Sequence, residues 1–399
     1  MSQKRLQFAL LSASLLVGSA AAINANIPAM AQHFKDVPLS MVELLTTIPS
    51  LFLMISVFIS TFIARRLGYK QTIMLGLAIV MISGLIPLWI DNFIMILMSR
   101  GALGFGIGLF NSLLVSMINY FYEPQMRSSM YGLQSAFEGA GGIFITFLAG
   151  QLLKINWQAP FIAYGIAIPV FFIYLKYVPK VETKDMEENT ELQTQQANQK
   201  NASFLPVLSY VILIFIAAML YMIMGIKIAS LMNEVGYGTA SDASFVIIVL
   251  SLGGISAGLF FGKILKILKQ YTTTIGLLLL SLAMLILGMS QHLIMTFIGG
   301  FLTGYGFKIF MPSLIDKINN SNIPHKNLAT SLLLVGFNLG VFISPYGSAL
   351  IQNLIGTENL PILFITNALF FMILSSLTFL ITTIKSKKMI QMTQNIIEQ

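Results

Sequence analysis

Twelve apolar stretches take up nearly the whole of this chain: roughly 7–32, 41–64, 72–90, 93–118, 129–153, 159–178, 204–232, 242–262, 272–290, 293–315, 328–352 and 360–384. About 20 apolar residues are enough for a helix to cross a bilayer. Hydrocarbon offers backbone N–H and C=O groups no partners, so stretches of this kind must be helices. Only 10% of the residues are charged and 56% are hydrophobic, whereas a soluble domain carries about 25% charged residues. The sequence therefore predicts an all-α integral membrane protein. The first stretch imitates a signal peptide, with Lys4 and Arg5 ahead of an apolar run and Ala20–Ala22 as a small-residue site. The apolar run continues through Ile23 to Met30, and we read it as the first span.

An even number of spans puts both termini on one side, and the basic residues say which. With the N-terminus in the cytoplasm, the inner loops hold Lys4, Arg5, Arg65, Arg66, Lys70, Arg127, Lys176, Lys180, Lys263, Lys266, Lys269, Lys317, Lys326 and Lys385 among others, and the outer loops hold Lys35 and Lys154. This bias predicts a multi-pass protein with both ends cytoplasmic. It also accounts for the net charge of +8 as topology, with no nucleic-acid partner. Ile-, Asn- and Lys-rich usage suggests a low-GC bacterium and a plasma membrane.

The two halves of the chain repeat. Thr72, Gly76, Leu77, Gly104, Gly106, Phe110, Leu114, Asn119, Pro124, Leu133 and Phe137 recur two hundred positions later as Thr272, Gly276, Leu277, Gly304, Gly306, Phe310, Leu314, Asn319, Pro324, Leu333 and Phe337. A gapless offset of that length means a duplicated unit, and parallel duplication of a membrane half is a transporter signature. Between the copies, 179–203 (PKVETKDMEENTELQTQQANQKNAS) is polar and without apolar periodicity, so it reads as a disordered or loosely helical linker. The expected domains are a six-helix half over 1–178, a cytoplasmic linker over 179–203, and a second six-helix half with a short tail over 204–399.

Two local motifs add a family resemblance. After the second stretch, Thr61-Phe62-Ile63-Ala64-Arg65-Arg66-Leu67-Gly68-Tyr69-Lys70 resembles the loop G-x-L-A-D-R-x-G-R-K of the major facilitator superfamily, matching at Ala64, Arg66, Gly68 and Lys70. In the fourth stretch, Arg100, Gly104, Gly106 and Gly108 resemble the family's R-x-x-Q-G-x-G, with Leu103 in place of Gln. The antiporter motif of helix 5 fits poorly, because Ile145 and Thr146 stand where Gly-Pro is expected. The chain looks most like the twelve-helix drug:proton antiporters. That resemblance implies two pseudo-symmetric six-helix bundles, helices 1, 4, 7 and 10 around a central cavity, an arginine tied to proton coupling at Arg100, and a gating loop at Arg66, Gly68 and Lys70.

Four ionisable residues fall well inside apolar stretches: Arg100, Glu138, Lys227 and Lys308. Each costs roughly 2.5–3.5 kcal/mol at the bilayer centre on insertion scales, so each should face a cavity or a partner. Glu138 is the deep acid, and its counterpart in the repeat is Asn338. Burial favours a protonated carboxyl and a nearby arginine favours the carboxylate. We therefore expect Glu138 to carry a proton and Arg100 to be its switchable partner, against the plainer reading of a permanent pair holding two helices together. Helical spacing puts Asn111 on the Arg100 face and pairs Asn26 with Ser19. Asn26, Asn111, Lys227, Lys308 and Asn338 are the expected cavity residues, although Lys227 is close enough to a helix end to snorkel to the headgroups. Ser135, Glu138, Gly142 and Thr146 make a small-residue stripe that also suits helix packing. Glu43 and Asp316 lie near stretch ends and read as solvated.

With no cysteine, three scattered histidines (His33, His292, His325) and no clustered Ser, Asp or Glu, no enzyme site, metal or cofactor is expected. There is no G-x-x-x-x-G-K-[ST] loop for ATP, so an ion or solute gradient must drive any transport. The expected function is secondary active transport, most of all proton-coupled export of a drug-like, anionic or zwitterionic small molecule. Its partners would be that solute, protons and lipid, and the chain would act as a monomer. The alternative is a proton symporter importing an organic anion or nutrient.

Overall fold

The computed structural model describes residues 3–179, 181, 205–319 and 326–397, so nearly all of the expected linker and His325 lie outside the described residues. The described residues form twelve helical spans and no strand. Span α1 runs as Gln3–Ser14, a 3-10 run over Val17–Asn26 and a short helix over Ile27–His33. The others are α2 (Leu39–Leu67), α3 (Tyr69–Leu88), α4 (Phe93–Phe121), α5 (Pro124–Leu152), α6 (Ala159–Tyr177), α7 (Leu205–Val235), α8 (Ala240–Leu268), α9 (Thr272–Gly288), α10 (Leu293–Asn319), α11 (Lys326–Ile355) and α12 (Leu360–Ile397). Among the described residues, ten stretches are long and apolar enough to cross a membrane, and one of these, Ala240–Gly288, contains both α8 and α9. Helix α5 is not among them. Gln125, Arg127, Gln134, Ser135 and Glu138 dilute it, as expected of a helix with one face turned away from lipid.

The buried side chains form two clusters, one drawn mainly from α1–α6 and one mainly from α7–α12. The helix pairings repeat with a shift of six. Helices α2–α4, α3–α4, α1–α5 and α3–α6 pack together, and so do α8–α10, α9–α10, α7–α11 and α9–α12. The duplicated glycines mark the crossing points. A methyl on Gly76 would lie 2.7 Å from the Gly106 carbonyl oxygen, and one on Gly306 would lie 3.1 Å from that of Gly276. Methyls on Gly104 and Gly304 would run into the backbone carbonyls of Pro49 and Leu250. Small faces of this kind let helices pack where lipid supplies no hydrophobic drive for association.

The two clusters meet through a symmetric pair of contacts, α2 on α11 and α5 on α8. Both contacts are close at the end away from the termini. There the Thr47 hydroxyl donates to the Phe342 carbonyl (3.3 Å), and the rings of Phe147 and Phe245 lie edge to face at 6.0 Å. Gly150 abuts the Ser244 side chain. Among the glycines on these two faces, the last with a cross-helix neighbour is Gly139, where an added methyl would lie 3.3 Å from Ile255. Further along the same faces, towards the terminus-bearing end, Gly132 on α5 and Gly258 and Gly262 on α8 have nothing within 4 Å. The α5–α8 seam is thus joined at one end and parted at the other.

Candidate functional site

Arg100 is fully buried on α4. Its Nε donates to the Leu45 carbonyl (3.1 Å), Nη2 to the Ala20 carbonyl (2.7 Å) and Nη1 to the Tyr164 hydroxyl (2.8 Å). Tyr164 donates onward to the Ser19 carbonyl (2.9 Å). Ser19 and Ala20 lie in the 3-10 run of α1, which is long for that geometry. The planar guanidinium therefore ties the irregular part of α1 to α2, α4 and α6, using carbonyl dipoles among its acceptors.

This corrects the expected Arg100–Glu138 partnership. Arg100 is in the second turn of α4 from the joined end, while Glu138 is at the middle of α5. Glu138 is half-buried and accepts a long hydrogen bond from Gln134 Nε2 (3.3 Å). A cation near it is Lys308 of α10. Lys308 is exposed, and its stem lies against Gly254 of α8. Glu138 and Lys308, from opposite halves, thus flank the α5–α8 contact at Gly139 and Ile255. Asn338 is half-buried, with its amide donating to the Leu334 carbonyl of its own helix (2.8 Å). Asn111 is half-buried on α4.

Two other expected cavity residues lie elsewhere. Asn26 is buried and donates from Nδ2 to the Trp157 carbonyl (2.7 Å), so it pins the α5–α6 turn to α1. Lys227 does not snorkel. Its Nζ lies 2.6 Å from Glu43 Oε1, and both side chains are almost wholly buried. Glu43, which the sequence places near solvent, is 0% exposed. Sequence reasoning missed this pair because its partners are far apart in the chain and Glu43 is only one turn inside α2. The usable signal was one more acid close to the start of an apolar stretch, in a chain whose stretches already held too many cations. Beyond the pair lies a cavity of about 560 Å3 at the joined end, lined by Gln32, Ser40, Ser230, Asn233, Glu234, Gln352, Asn353 and Glu358 among others.

In the loop between α2 and α3, Gly68 takes φ 91°, a backbone conformation glycine adopts at little cost. Arg66 is exposed and covers the Phe62 ring (4.4 Å), and Lys70 Nζ donates to the Leu175 carbonyl of α6 (2.9 Å). Both contacts stay within one half. Among the described residues no three His, Cys, Asp or Glu side chains gather as metal ligands.

The Major Facilitator Superfamily model matches residues 9–314, from the first half into α10 of the second. The chain belongs to this superfamily. Quinolone resistance protein NorA of Staphylococcus aureus (strain Mu50 / ATCC 700699) is 24% identical over 334 residues, covering 80% of this chain and 83% of that protein. NorA of strain COL is 24% identical over 330 residues with the same coverage. Two solved structures share the fold, each of a point mutant. That of the nucleoside transporter NupG superposes with a TM-score of 0.76 at 9% identity, covering 94% of this chain and 99% of that one. That of the peptide transporter POT gives 0.73 at 14% identity, covering 95% and 94%. As a major facilitator protein the chain is a multi-pass membrane transporter of small molecules and not an enzyme.

Proposed function

We propose that this transporter exports small organic molecules in exchange for protons, from a bacterial plasma membrane in which both termini are cytoplasmic. Its site is the parted space between the halves, with Glu138 and Lys308 at the apex. The observation that carries the reading is that apex: an acid and a cation from opposite halves, half-buried to exposed, at the point where α5 and α8 part. Rocking of two six-helix halves about a midplane site is the way such repeats work. By the basic-residue bias, the parted end faces the cytoplasm. Solute would enter there, Glu138 would take up or release the proton, and Lys308 would favour an anionic or zwitterionic solute. Similarity to the quinolone resistance proteins makes quinolones, which carry a carboxylate, the first solutes to test. Arg100 supports the site by holding α1, α2, α4 and α6 in register.

The test uses purified protein in liposomes with a pH-sensitive dye inside. Adding a quinolone to one face should move protons the opposite way, and Glu138→Gln should lose that coupled flux by about tenfold or more, a barrier change of roughly 1.4 kcal/mol. Glu138→Gln transporting normally with an unchanged pH dependence would sink the carrier role. Protons and solute moving the same way would replace exchange by symport.

A further inference from the structure

We infer that Glu43 and Lys227 form the latch that closes the joined end, and that neutralising Glu43 with a proton opens it. The pair is a bridge from α2 in one half to α7 in the other, 2.6 Å long, with both side chains almost wholly buried. It sits beside the Thr47–Phe342 contact, which lies one helical turn further along α2. Glu43 and Lys227 both belong to the wall of the 560 Å3 cavity. Among the described residues neither Glu43 carboxylate oxygen meets hydrogen-bond geometry, so what faces the carboxylate is the Lys227 ammonium at 2.6 Å from Oε1.

A buried pair like this holds only while both charges are present. Removing one leaves the other uncompensated in a dry site, which is strongly unfavourable. With Glu43 neutral, the remaining charge on Lys227 is relieved most readily by water from the adjoining cavity, and admitting that water separates α2 from α7 and α11. The charged neighbours leave this role to Lys227. Glu234 of α7 and Glu358 of the α11–α12 turn line the cavity, Arg100 of α4 is committed to the Leu45 carbonyl, and α1 and α11 present Gln32, Gln352 and Asn353, which are neutral. The cation in contact with the Glu43 carboxyl is Lys227. The inference rests on the transporter alternating between two states, but it needs neither the solute nor the direction proposed above.

The natural chain has no cysteine, so a reporter thiol can be placed alone. Thr47→Cys puts it just inside the latch, at a fully buried position. Its maleimide labelling is followed in nanodiscs and normalised to the unfolded protein at the same pH. Labelling should be slow at mildly alkaline pH and faster at mildly acidic pH. Glu43→Gln should make it fast at both, by roughly tenfold, within the usual span of coupling between a site and a conformational equilibrium. A second reporter, the disulfide between Phe147→Cys and Phe245→Cys, should form less readily in Glu43→Gln. The charge swap Glu43→Lys with Lys227→Glu should restore slow labelling, which separates a latch from simple misfolding. Unchanged labelling and crosslinking in Glu43→Gln would overturn the latch. Fast labelling in Glu43→Gln with a flat pH response in the parent would overturn release by a proton. Neither readout involves transport, so failure of the export reading would leave both intact.

Discussion

At the scale of single residues, charges inside the membrane are settled by geometry that composition only half reveals. The sequence marks Arg100 as a buried cation needing partners, and it has them. Two of the three are backbone carbonyls, one of them exposed to it by a change of helical pitch in α1, and no pattern of side chains announces that change. Lysine cannot reproduce three planar bonds from one fork. Arg100→Lys should therefore lower stability by roughly 2–4 kcal/mol, since a hydrogen bond to a charged group contributes about 1.5–3 kcal/mol. Tyr164→Phe removes the hydroxyl that joins Arg100 to Ser19 and should cost about 1–3 kcal/mol. Thermal unfolding in detergent, with ligand-free protein, checks both. Glu43 shows the opposite failure. Distance from a helix end predicts solvent, but α7 and α11 close over that end and only the tertiary fold brings Lys227 to it.

At the scale of helices, much more was legible. The spans follow from apolar length, and the crossing points follow from the glycines that the repeat preserves. A gapless offset keeps Gly76 and Gly106, and then Gly276 and Gly306, on facing helices, so the repeat in the sequence is a repeat of contacts. What the sequence leaves out is which glycines touch anything. Gly104 and Gly304 meet backbone, while Gly132, Gly258 and Gly262 meet open space. Gly104→Ala and Gly304→Ala should each sharply reduce the yield of folded protein. Gly262→Ala should be neutral or stabilise α8 by up to about 1 kcal/mol, the helix-propensity gain of alanine over glycine. Size-exclusion profiles and unfolding midpoints of the three variants separate the two classes.

At the scale of the whole molecule, the open glycines become a statement about motion. Gly139, Gly132 and Gly150 lie on one face of α5, and Ser244, Ile255, Gly258 and Gly262 lie on one face of α8. One end of this seam is in contact and the other is empty. Rocking about the Gly139–Ile255 contact should close that end and open the other. A transporter that alternates must close it, whatever its solute. Gly258→Trp puts a bulky side chain into the part of the seam where an added methyl meets nothing within 4 Å, so the protein should fold with an unfolding midpoint close to the parent's. Transport should fall by about tenfold or more, a shift of roughly 1.4 kcal/mol or more against the other state. The Thr47→Cys reporter in that background should stay slow at mildly acidic pH, where the parent becomes fast, because the latch cannot open while the far end is wedged apart. If Gly258→Trp transports like the parent, the seam is a lipid-facing gap, and the two ends of the molecule are not exchanged about this pivot.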